Sequence, residues 1–243
     1  MILIAASAPF GSAYYSPPIA RGAANGIEAF TQVSADFDFA CAIRTGGTAV
    51  CWGSDIATQA EAPSGTFTEV SAGGLEDLSF ACGVRTTHKL VCWGTDENKE
   101  AEPPAGQFTV VSVGDSFACA IRSGGDLVCW GQIPRPPSGQ FSDLSAGQGY
   151  ACAIRISGTL TCWGNVPAGG APKGEFKEVS SGDGFACGIR IGVPEAMGTH
   201  VVFCSAAASA AGVTGRCAWR SELSVKRYCP RVNNAPYLSR SLT

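Results

Sequence analysis

The chain has 243 residues, of which 31 are glycine and 15% are charged, and its formal net charge is −3. Few charges and many glycines suit short strands that are joined by tight turns. Two histidines and two methionines leave little material for metal or haem chemistry. Because the sequence contains no apolar run of about 18 residues, we predict no membrane span.

The charge is unevenly distributed along the chain. Residues 1–215 carry 11 basic and 19 acidic side chains, a net −8, whereas residues 216–243 carry six basic and one acidic, a net +5. The first ten residues, MILIAASAPF, are apolar but short, and no lysine or arginine precedes them. We interpret residues 1–29 as a divergent N-terminal segment, residues 205–243 as a divergent basic tail, and the sequence as compatible with a fragment.

Five copies of one repeat occupy residues 30–204. The clearest copy, FSDLSAGQGYACAIRISGTLTCWG, begins at Phe141, and the starting positions of successive copies are 37, 41, 33 and 35 residues apart. The copies span residues 30–66, 67–107, 108–140, 141–175 and 176–204. A repeat of this period is one supersecondary unit that cannot bury its apolar face without its neighbours.

Each copy is predicted to form three strands. In the first copy FTQVS, DFACAIR and TAVCWG alternate as strands do, and a Thr-Gly-Gly turn separates the last two. If this hairpin centres on Gly46, Cys41 faces Cys51 and Ala40 faces Trp52. The crossovers between copies end in a Pro-x-Gly pattern followed two residues later by the next Phe.

The same hairpin register pairs cysteines in three further copies. It places Cys82 opposite Cys92, Cys119 opposite Cys129, and Cys152 opposite Cys162. Facing Cα atoms lie about 4.5–5.5 Å apart in antiparallel pairs, which is within disulfide range. A nine-residue gap without a histidine partner fits no common zinc pattern, so we predict structural disulfides.

The remaining four cysteines are less regular. Cys187 and Cys204 belong to the fifth copy, but they are 17 residues apart because GVPEAMGTH is inserted between them. Cys217 and Cys229 fall outside the repeats, and the sequence leaves their pairing open. Twelve cysteines in register with a repeat indicate an oxidising compartment, and we predict that all twelve form disulfides.

The alternation determines the predicted fold. Both faces of each hairpin are apolar, with a cystine on one and an Ala–Trp pair on the other, so each sheet must be covered on both sides. We therefore predict an all-β protein: a β-propeller, or an incomplete propeller, of three-stranded blades of about 35–40 residues each. Packing against the facing alanine explains the tryptophans better than carbohydrate stacking does.

The run from Ser-Ala-Gly through CAIR to CWG resembles repeats of the regulator-of-chromosome-condensation superfamily. Its short period is most similar to the compact bacterial branch, which is β-lactamase-inhibitor-protein-like, and its cysteine pairs resemble the Crinkly-type plant receptor repeats. The resemblance implies a β-propeller, generally of about seven blades. Many family repeats carry His two residues before the Cys, where this chain has Phe39, Phe80, Phe117, Tyr150 and Phe185.

Comparison of the copies indicates where a partner could bind. The turn before the second strand is acidic in several copies, and the opposite end of that strand carries one arginine per copy. The acidic residues are Asp36, Asp38, Glu76, Asp77, Asp115 and Asp183, and the arginines are Arg44, Arg85, Arg122, Arg155 and Arg190. Our hypothesis is that the acidic end binds a partner. The alternatives are that both rows are solvated loop ends, or, less favoured, that the aspartates bind calcium.

Catalysis has little support in the sequence. GxSxG, HExxH and GxxxxGK motifs are absent, and neither His88 nor His200 has an evident triad. We predict an extracellular, non-enzymatic, monomeric module without cofactor or metal that binds a protein of unknown identity and not nucleic acid. The alternatives are an intracellular nucleotide-exchange or chromatin-associated propeller, and a carbohydrate-binding propeller.

Overall fold

The computed structural model describes residues 28–75, 78–166 and 170–191 and, for the backbone alone, residues 199–206 and 214–220. Nearly all of the predicted N-terminal segment and most of the predicted basic tail lie outside these ranges. Within the described ranges the regular elements are strands, and none of these residues forms an α-helix. The predicted all-β class is confirmed.

The strands group into five antiparallel sheets, one for each repeat, which we call blades 1 to 5. In chain order the strands are β1 (Phe30–Ala35), β2 (Phe39–Arg44), β3 (Ala49–Gly53), β4 (Phe67–Gly73), β5 (Phe80–Arg85), β6 (Leu90–Gly94), β7 (Phe108–Val113), β8 (Phe117–Arg122), β9 (Leu127–Gly131), β10 (Phe141–Ala146), β11 (Tyr150–Arg155), β12 (Leu160–Gly164), β13 (Phe176–Ser181), β14 (Phe185–Arg190), β15 (Thr199–Ala206) and β16 (Thr214–Arg220).

Blades 1 to 4 each contain three strands in sequential order, as predicted, but blade 5 contains four. The additional strand β16 lies within the segment that was predicted to be a divergent tail. It pairs antiparallel with the outer edge of β15, from Thr199 opposite Arg220 to Ser205 opposite Thr214. The fifth repeat itself forms the three predicted strands, β13 to β15, and β16 from the segment after the repeat adds a fourth strand to the same sheet.

The hairpins have the register that the repeat predicts. In blade 1, Ala40 lies opposite Trp52 and Cys41 lies opposite Cys51. Four disulfides connect such facing cysteines, each with a Cα–Cα distance of 4.0 Å: Cys41–Cys51, Cys82–Cys92, Cys119–Cys129 and Cys152–Cys162. Each covalently joins the second and third strands of its blade, and the chain-entropy effect of closing so short a loop is about 3 kcal/mol.

The irregular cysteines are only partly described. Cys187 is disulfide-bonded, and the residue opposite it in the sheet register is Cys204. Cys217 lies in β16 opposite Val202. Cys229 lies outside the described residues, so a bond between Cys217 and Cys229 stays a prediction.

The hydrophobic core lies between the blades. Between blades 1 and 2, Phe39 and Ile43 of β2 pack against Phe67 and Val70 of β4 and against Trp93. The same arrangement recurs between blades 2 and 3 and between blades 3 and 4. Each first strand thus covers the second strand of the preceding blade, and the prediction that sheets stack face on face is confirmed.

Two tryptophans are also held by hydrogen bonds to the crossovers. The indole N–H groups of Trp93 and Trp130 donate to the carbonyl oxygens of Gln59 (2.9 Å) and Glu100 (2.7 Å), which lie between consecutive blades. The indole nitrogen of Trp163 is buried and has no such partner among the described residues. The crossover before its blade has nine residues between Gly131 and Phe141, against 13 in each of the two longer crossovers, which explains the missing carbonyl.

A polar ladder joins the first strands of neighbouring blades. In each step a serine hydroxyl of one blade accepts a hydrogen bond from a backbone N–H of the next. The steps are Ser34 with Ala72 (3.0 Å), Ser71 with Val113 (3.0 Å), Ser112 with Ala146 (2.9 Å) and Ser145 with Ser181 (2.8 Å). The acceptor is always on the earlier blade, so the ladder has one direction along the chain.

A second rung of this ladder uses longer side chains. Gln32 accepts from the Val70 N–H (2.7 Å), Glu69 from Val111 (3.0 Å), and Asp143 from Val179 (2.9 Å). Burial raises the pKa of Glu69 to about 7, against the opposing effect of its backbone hydrogen bond. Burial likewise raises the pKa of Asp143. These rungs hold the first strands together in the way that backbone pairing holds a sheet.

Candidate partner-binding rim

The stacked blades have two ends with different chemistry. We call the turns between first and second strands the acidic rim: residues 35–39, 73–80, 113–117, 146–150 and 181–185. We call the opposite end, where each second strand ends in an arginine, the arginine rim. Because the ladder keeps successive first strands in step, equivalent turns from neighbouring blades lie side by side.

Two aspartates of the acidic rim connect neighbouring blades. The Asp115 carboxylate accepts from the Ser116 N–H (2.9 Å) and from the Gly149 N–H of the next blade (3.2 Å). The Asp38 carboxylate accepts from the Ser79 hydroxyl of blade 2 at 3.4 Å. These side chains therefore stabilise the scaffold, a role that the sequence comparison did not predict.

Asp36 is half-buried in the first turn of the acidic rim. At the equivalent positions the other blades have glycine, and a Cβ on Gly114 would lie 2.8 Å from the carbonyl oxygen of Gly147. Burial raises the pKa of Asp36 to about 6, while a hydrogen bond from the Phe37 amide lowers it and the charge of Asp38 raises it. One carboxylate oxygen has no hydrogen-bond partner in the described part of the chain.

The remaining predicted residues differ in what the structure says of them. Asp183 is exposed. Glu76 and Asp77 lie outside the described residues, although Leu75 before them is exposed. The structure thus brings the described aspartates to one end of the blades, and Asp183 is the one whose side chain faces solvent.

Phe37 is a rim residue that the sequence comparison missed. It is 78% exposed, and its equivalents in blades 3 to 5 are Asp115, Gln148 and Asp183. Ile56, at the start of the first crossover, is also exposed. The sequence did contain a signal for Phe37. It is the apolar residue within DFDF, at a position where other copies have a polar residue. The acidic rim therefore presents apolar as well as acidic groups.

The arginines of the opposite rim lie against the protein. Each of three guanidinium groups donates to the carbonyl oxygen of the residue before a crossover glycine and lies over the ring of the following Phe. The contacts are Arg85 to Ser64 (2.8 Å) and Phe67 (5.0 Å), Arg122 to Ala105 (3.1 Å) and Phe108 (5.0 Å), and Arg155 to Ser138 (3.1 Å) and Phe141 (4.8 Å). The guanidinium groups of these three arginines are therefore held by the scaffold.

The Pro-x-Gly pattern has a physical explanation in these contacts. Gly106 has a φ of +147°, and a Cβ there would lie 2.2 Å from Nη1 of Arg122. Gly65 and Gly139 are placed in the same way against Arg85 and Arg155. A side chain at this position would displace the guanidinium, so the glycine and the arginine form one structural unit.

The first arginine and the hairpin histidine also have structural partners. Arg44 pairs with Glu28 at 3.4 Å, and Arg122 contacts Asp126 through the backbone and not through its guanidinium. His88 lies at a hairpin tip with its ring nitrogen 3.3 Å from the Phe108 carbonyl oxygen.

No group of three or more metal-ligating side chains occurs within the described ranges. Nor do these ranges contain a helix long and apolar enough to cross a membrane.

Comparison with known proteins finds one family match within the repeats. A family model described as "Regulator of chromosome condensation (RCC1) repeat" matches residues 108–132, which contain the three strands of blade 3. The blade 3 repeat is therefore similar to regulator-of-chromosome-condensation repeats. No curated protein sequence matches the chain significantly.

Solved structures with the same fold include proteins from plants and yeast. The Crinkly ectodomain of the Arabidopsis thaliana receptor kinase ACR4 is 23% identical with a TM-score of 0.63, and the match covers 82% of this chain and 78% of that one. The ectodomain of the Physcomitrella patens receptor kinase CR4 is 23% identical with a TM-score of 0.60, covering 80% of this chain and 56% of that one.

A more distant match is Prp20p of Saccharomyces cerevisiae, at 13% identity and a TM-score of 0.54, covering 73% of this chain and 58% of that one. This chain therefore spans between about half and four fifths of the length of these three propellers. At these identities the likeness establishes the fold.

Proposed function

We propose that this chain is an extracellular, non-enzymatic β-propeller scaffold that binds a protein partner through its acidic rim. The observation that carries the proposal is the difference between its two rims. Equivalent positions of the arginine rim hold the same side chain in the same contacts. Equivalent positions of the acidic rim hold different residues, so this end is able to specify a partner.

The exposed groups of the acidic rim indicate the chemistry of the partner. Phe37 and Leu75 offer apolar surface, and Asp183 offers an exposed carboxylate. Large exposed apolar residues beside charged ones are typical of recognition surfaces. The partner we expect presents an apolar recess flanked by lysine or arginine. Glu76 and Asp77 would add to the acidic character of this surface.

Disulfide bonding supports the extracellular assignment. Four described disulfides recur at equivalent positions, and cytosolic proteins rarely keep such bonds. Two of the fold neighbours are ectodomains of receptor kinases. The yeast neighbour is described by its binding to Gsp1p and histones. The disulfides favour a role like that of the ectodomains.

The test is an affinity capture with variants of both rims. The chain is produced by secretion, immobilised, and incubated with the extracellular proteins of its source organism, and captured proteins are quantified by mass spectrometry. Phe37→Ser and Asp183→Lys change the acidic rim. Ile156→Ser is the matched control, because Ile156 is a similarly exposed apolar residue (70%) on the hairpin at the arginine rim.

We expect a protein whose capture falls at least tenfold with Phe37→Ser and with Asp183→Lys and is unchanged with Ile156→Ser. Equal capture by all variants would contradict a role for this rim. A glycan array with specific hits would favour carbohydrate binding instead. Alkylation before reduction tests the compartment, because free thiols in the natively expressed chain would favour an intracellular role.

A further inference from the structure

The outer edge of blade 3 carries backbone groups that the blade itself does not use. The Cα atoms of Cys119 and Cys129 lie 4.0 Å apart, the short spacing that marks a non-hydrogen-bonded pair in an antiparallel sheet. The N–H and C=O groups of Cys129 therefore point away from β8, and those of Leu127, two residues earlier, point the same way. Within the described ranges neither residue has a further backbone hydrogen bond on this edge.

A groove lies along this edge. It has a volume of about 430 Å³, with residues 126–129 on one side and residues 135–139 of the following crossover on the other. That volume is within the range of ligand-binding clefts. The crossover contains Pro134, Pro136 and Pro137, which have no N–H to donate. Because of these prolines the crossover cannot pair with β9 as a regular strand, and the groove stays open.

Blade 5 shows what this edge of a blade can hold. There β16 pairs antiparallel with the outer edge of β15, where it lies opposite Cys204 and Val202. These two residues have the same positions in the hairpin register as Cys129 and Leu127 of blade 3. The fold therefore accepts a fourth strand at the edge that blade 3 leaves open.

Two exposed charges line the groove and indicate its selectivity. Arg135 is exposed, and within the described ranges it makes no hydrogen bond or ion pair. Asp126 is exposed as well. A bound segment gains a charge pair from an acidic side chain beside Arg135, whereas an acidic side chain beside Asp126 is repelled. The two charges therefore favour one orientation of the bound segment.

The terminal segments of the chain are poor occupants for such a groove. Residues 1–27 contain no acidic side chain, and residues 221–243 contain one against four basic ones. Neither segment offers the acidic character that complements Arg135. The charge therefore points to a segment from another protein.

We propose that this groove, which we call the blade 3 edge groove, binds an extended, acidic segment of a partner protein as a fourth strand of blade 3. The segment runs antiparallel to β9, as β16 runs to β15. Main-chain hydrogen bonds to Leu127 and Cys129 supply affinity, and the charge pair with Arg135 supplies specificity. None of the groove residues belongs to the acidic rim, so this second surface does not depend on the function proposed for that rim.

The test begins with a selection of peptides. A library of short random peptides displayed on phage is selected on the oxidised chain, and enriched peptides are synthesised. Their binding is measured by fluorescence anisotropy. Each backbone N–H of a bound peptide is then methylated in turn, because addition of a strand uses the N–H groups of alternate residues.

Two variants change the groove, and each has a matched control in blade 2. Leu127→Pro removes an N–H that the blade does not use, a change that an edge strand tolerates, and Leu90→Pro makes the same change at the equivalent position of β6. Arg135→Glu reverses the charge of the groove, and Lys89→Glu reverses an exposed charge on the hairpin of blade 2.

We expect the selection to enrich peptides that contain β-branched residues and at least one acidic residue. Leu127→Pro and Arg135→Glu should each weaken peptide binding at least tenfold, whereas the two controls should change it less than twofold. Methylation should abolish binding at alternate peptide residues and leave it unchanged at the residues between them.

Three outcomes overturn the proposal. One is that no peptide is enriched, or that enriched peptides bind Arg135→Glu as well as the unmodified chain. Another is a methylation profile without alternation, which would mean that peptides dock through side chains alone. The third is slow hydrogen exchange of the Leu127 and Cys129 amides without peptide, since a terminal segment or a second copy would then already cover the edge.

A proline variant that does not fold, as judged by its thermal unfolding transition, is replaced by a measurement on the unmodified chain. Addition of an enriched peptide should slow hydrogen exchange of the Leu127 and Cys129 amides at least tenfold. Unchanged exchange of both amides in the presence of bound peptide would overturn the proposal.

Discussion

The two rims differ in how closely equivalent residues keep the same contacts from blade to blade. At the arginine rim Arg85, Arg122 and Arg155 each repeat the same two contacts, one to a carbonyl oxygen and one to an aromatic ring. At the acidic rim Phe37 is exposed, whereas its equivalent Asp115 is bonded to the next blade. One rim therefore fastens the crossovers, and the other varies from blade to blade.

This difference shows that charge alone does not identify a binding surface in a repeat protein. The arginines occur once per copy and are conspicuous in the sequence, yet their guanidinium groups are occupied by contacts within the scaffold. Phe37, the most exposed large apolar residue of the acidic rim, is one that breaks the repeat. Substitutions at the arginine rim should therefore lower the stability of the protein more than substitutions of solvent-facing residues at the acidic rim.

The largest expected effect is at a glycine of the arginine rim. Gly106→Ala forces a side chain into a φ of +147° and displaces the Arg122 guanidinium. Backbone strain of about 1–3 kcal/mol adds to the lost arginine contacts, so we expect the free energy of unfolding to fall by about 2–4 kcal/mol. Urea denaturation of the oxidised protein measures the change.

Gly124→Ala is the control for that substitution. Gly124 lies in the hairpin turn of the same blade, and a Cβ there would approach nothing closer than Asp126 at 3.7 Å. We expect a change of no more than about 0.5 kcal/mol. Equal destabilisation by the two substitutions would show that the guanidinium contact does not require the glycine.

A smaller effect is expected from removing the arginine itself. Arg122→Ala loses the hydrogen bond to Ala105 and the contact with the Phe108 ring, but it introduces no backbone strain. We expect a loss of about 1–2 kcal/mol in the free energy of unfolding. Arg135→Ala is the control, because Arg135 is exposed and makes no hydrogen bond or ion pair within the described ranges. A loss of the same size in both variants would contradict the structural role of Arg122.

The hairpins and their stacking could be predicted from the sequence because they depend on near neighbours. A tight turn fixes which residues face each other, so the position of Gly46 determines that Cys41 faces Cys51. Apolar residues on both faces then require sheets above and below. Local alternation and short turns were sufficient for these features.

The features that could not be predicted join distant parts of the chain. The ladder connects Ser34 to Ala72, which are 38 residues apart, through a hydroxyl and an N–H that no short pattern relates. The strand β16 was hidden by the insertion before β15 and by the loss of the repeat after it. A fourth strand that pairs with the edge of a blade leaves no periodic signal in the sequence.

The candidate rim was predictable in its position but not in its use. The sequence comparison located the turns and their aspartates, because those residues interrupt the repeat. Asp115 bonds to Gly149 of the following blade, whereas Asp183 lies on blade 5, after which no further blade is described, so the use of each aspartate depends on its neighbour in the fold and not on its own position in the repeat. Phe37 was missed because the turns were compared by their charged residues, and Phe37 is an exposed apolar residue beside Asp38.

The smallest expected effect concerns the pH dependence of stability at Asp36. Burial raises the pKa of this carboxyl from 3.8 to about 6, so the folded state favours the protonated form. A group with a raised folded pKa contributes stability below its unfolded pKa, and this contribution is lost as the pH rises through the folded value. The loss should therefore occur between about pH 4 and pH 6.

Asp36→Asn keeps the shape of the side chain and removes the titration. Relative to the unmodified protein, the variant should gain stability from pH 4 to pH 7 and change little above that. Since Asp36 is only half-buried, solvent screening limits the gain to about 1 kcal/mol. Thermal unfolding across this pH range measures it. The exposed Asp183→Asn is the control, and a parallel pH profile for both variants would mean that Asp36 is as well hydrated as the rest of the acidic rim.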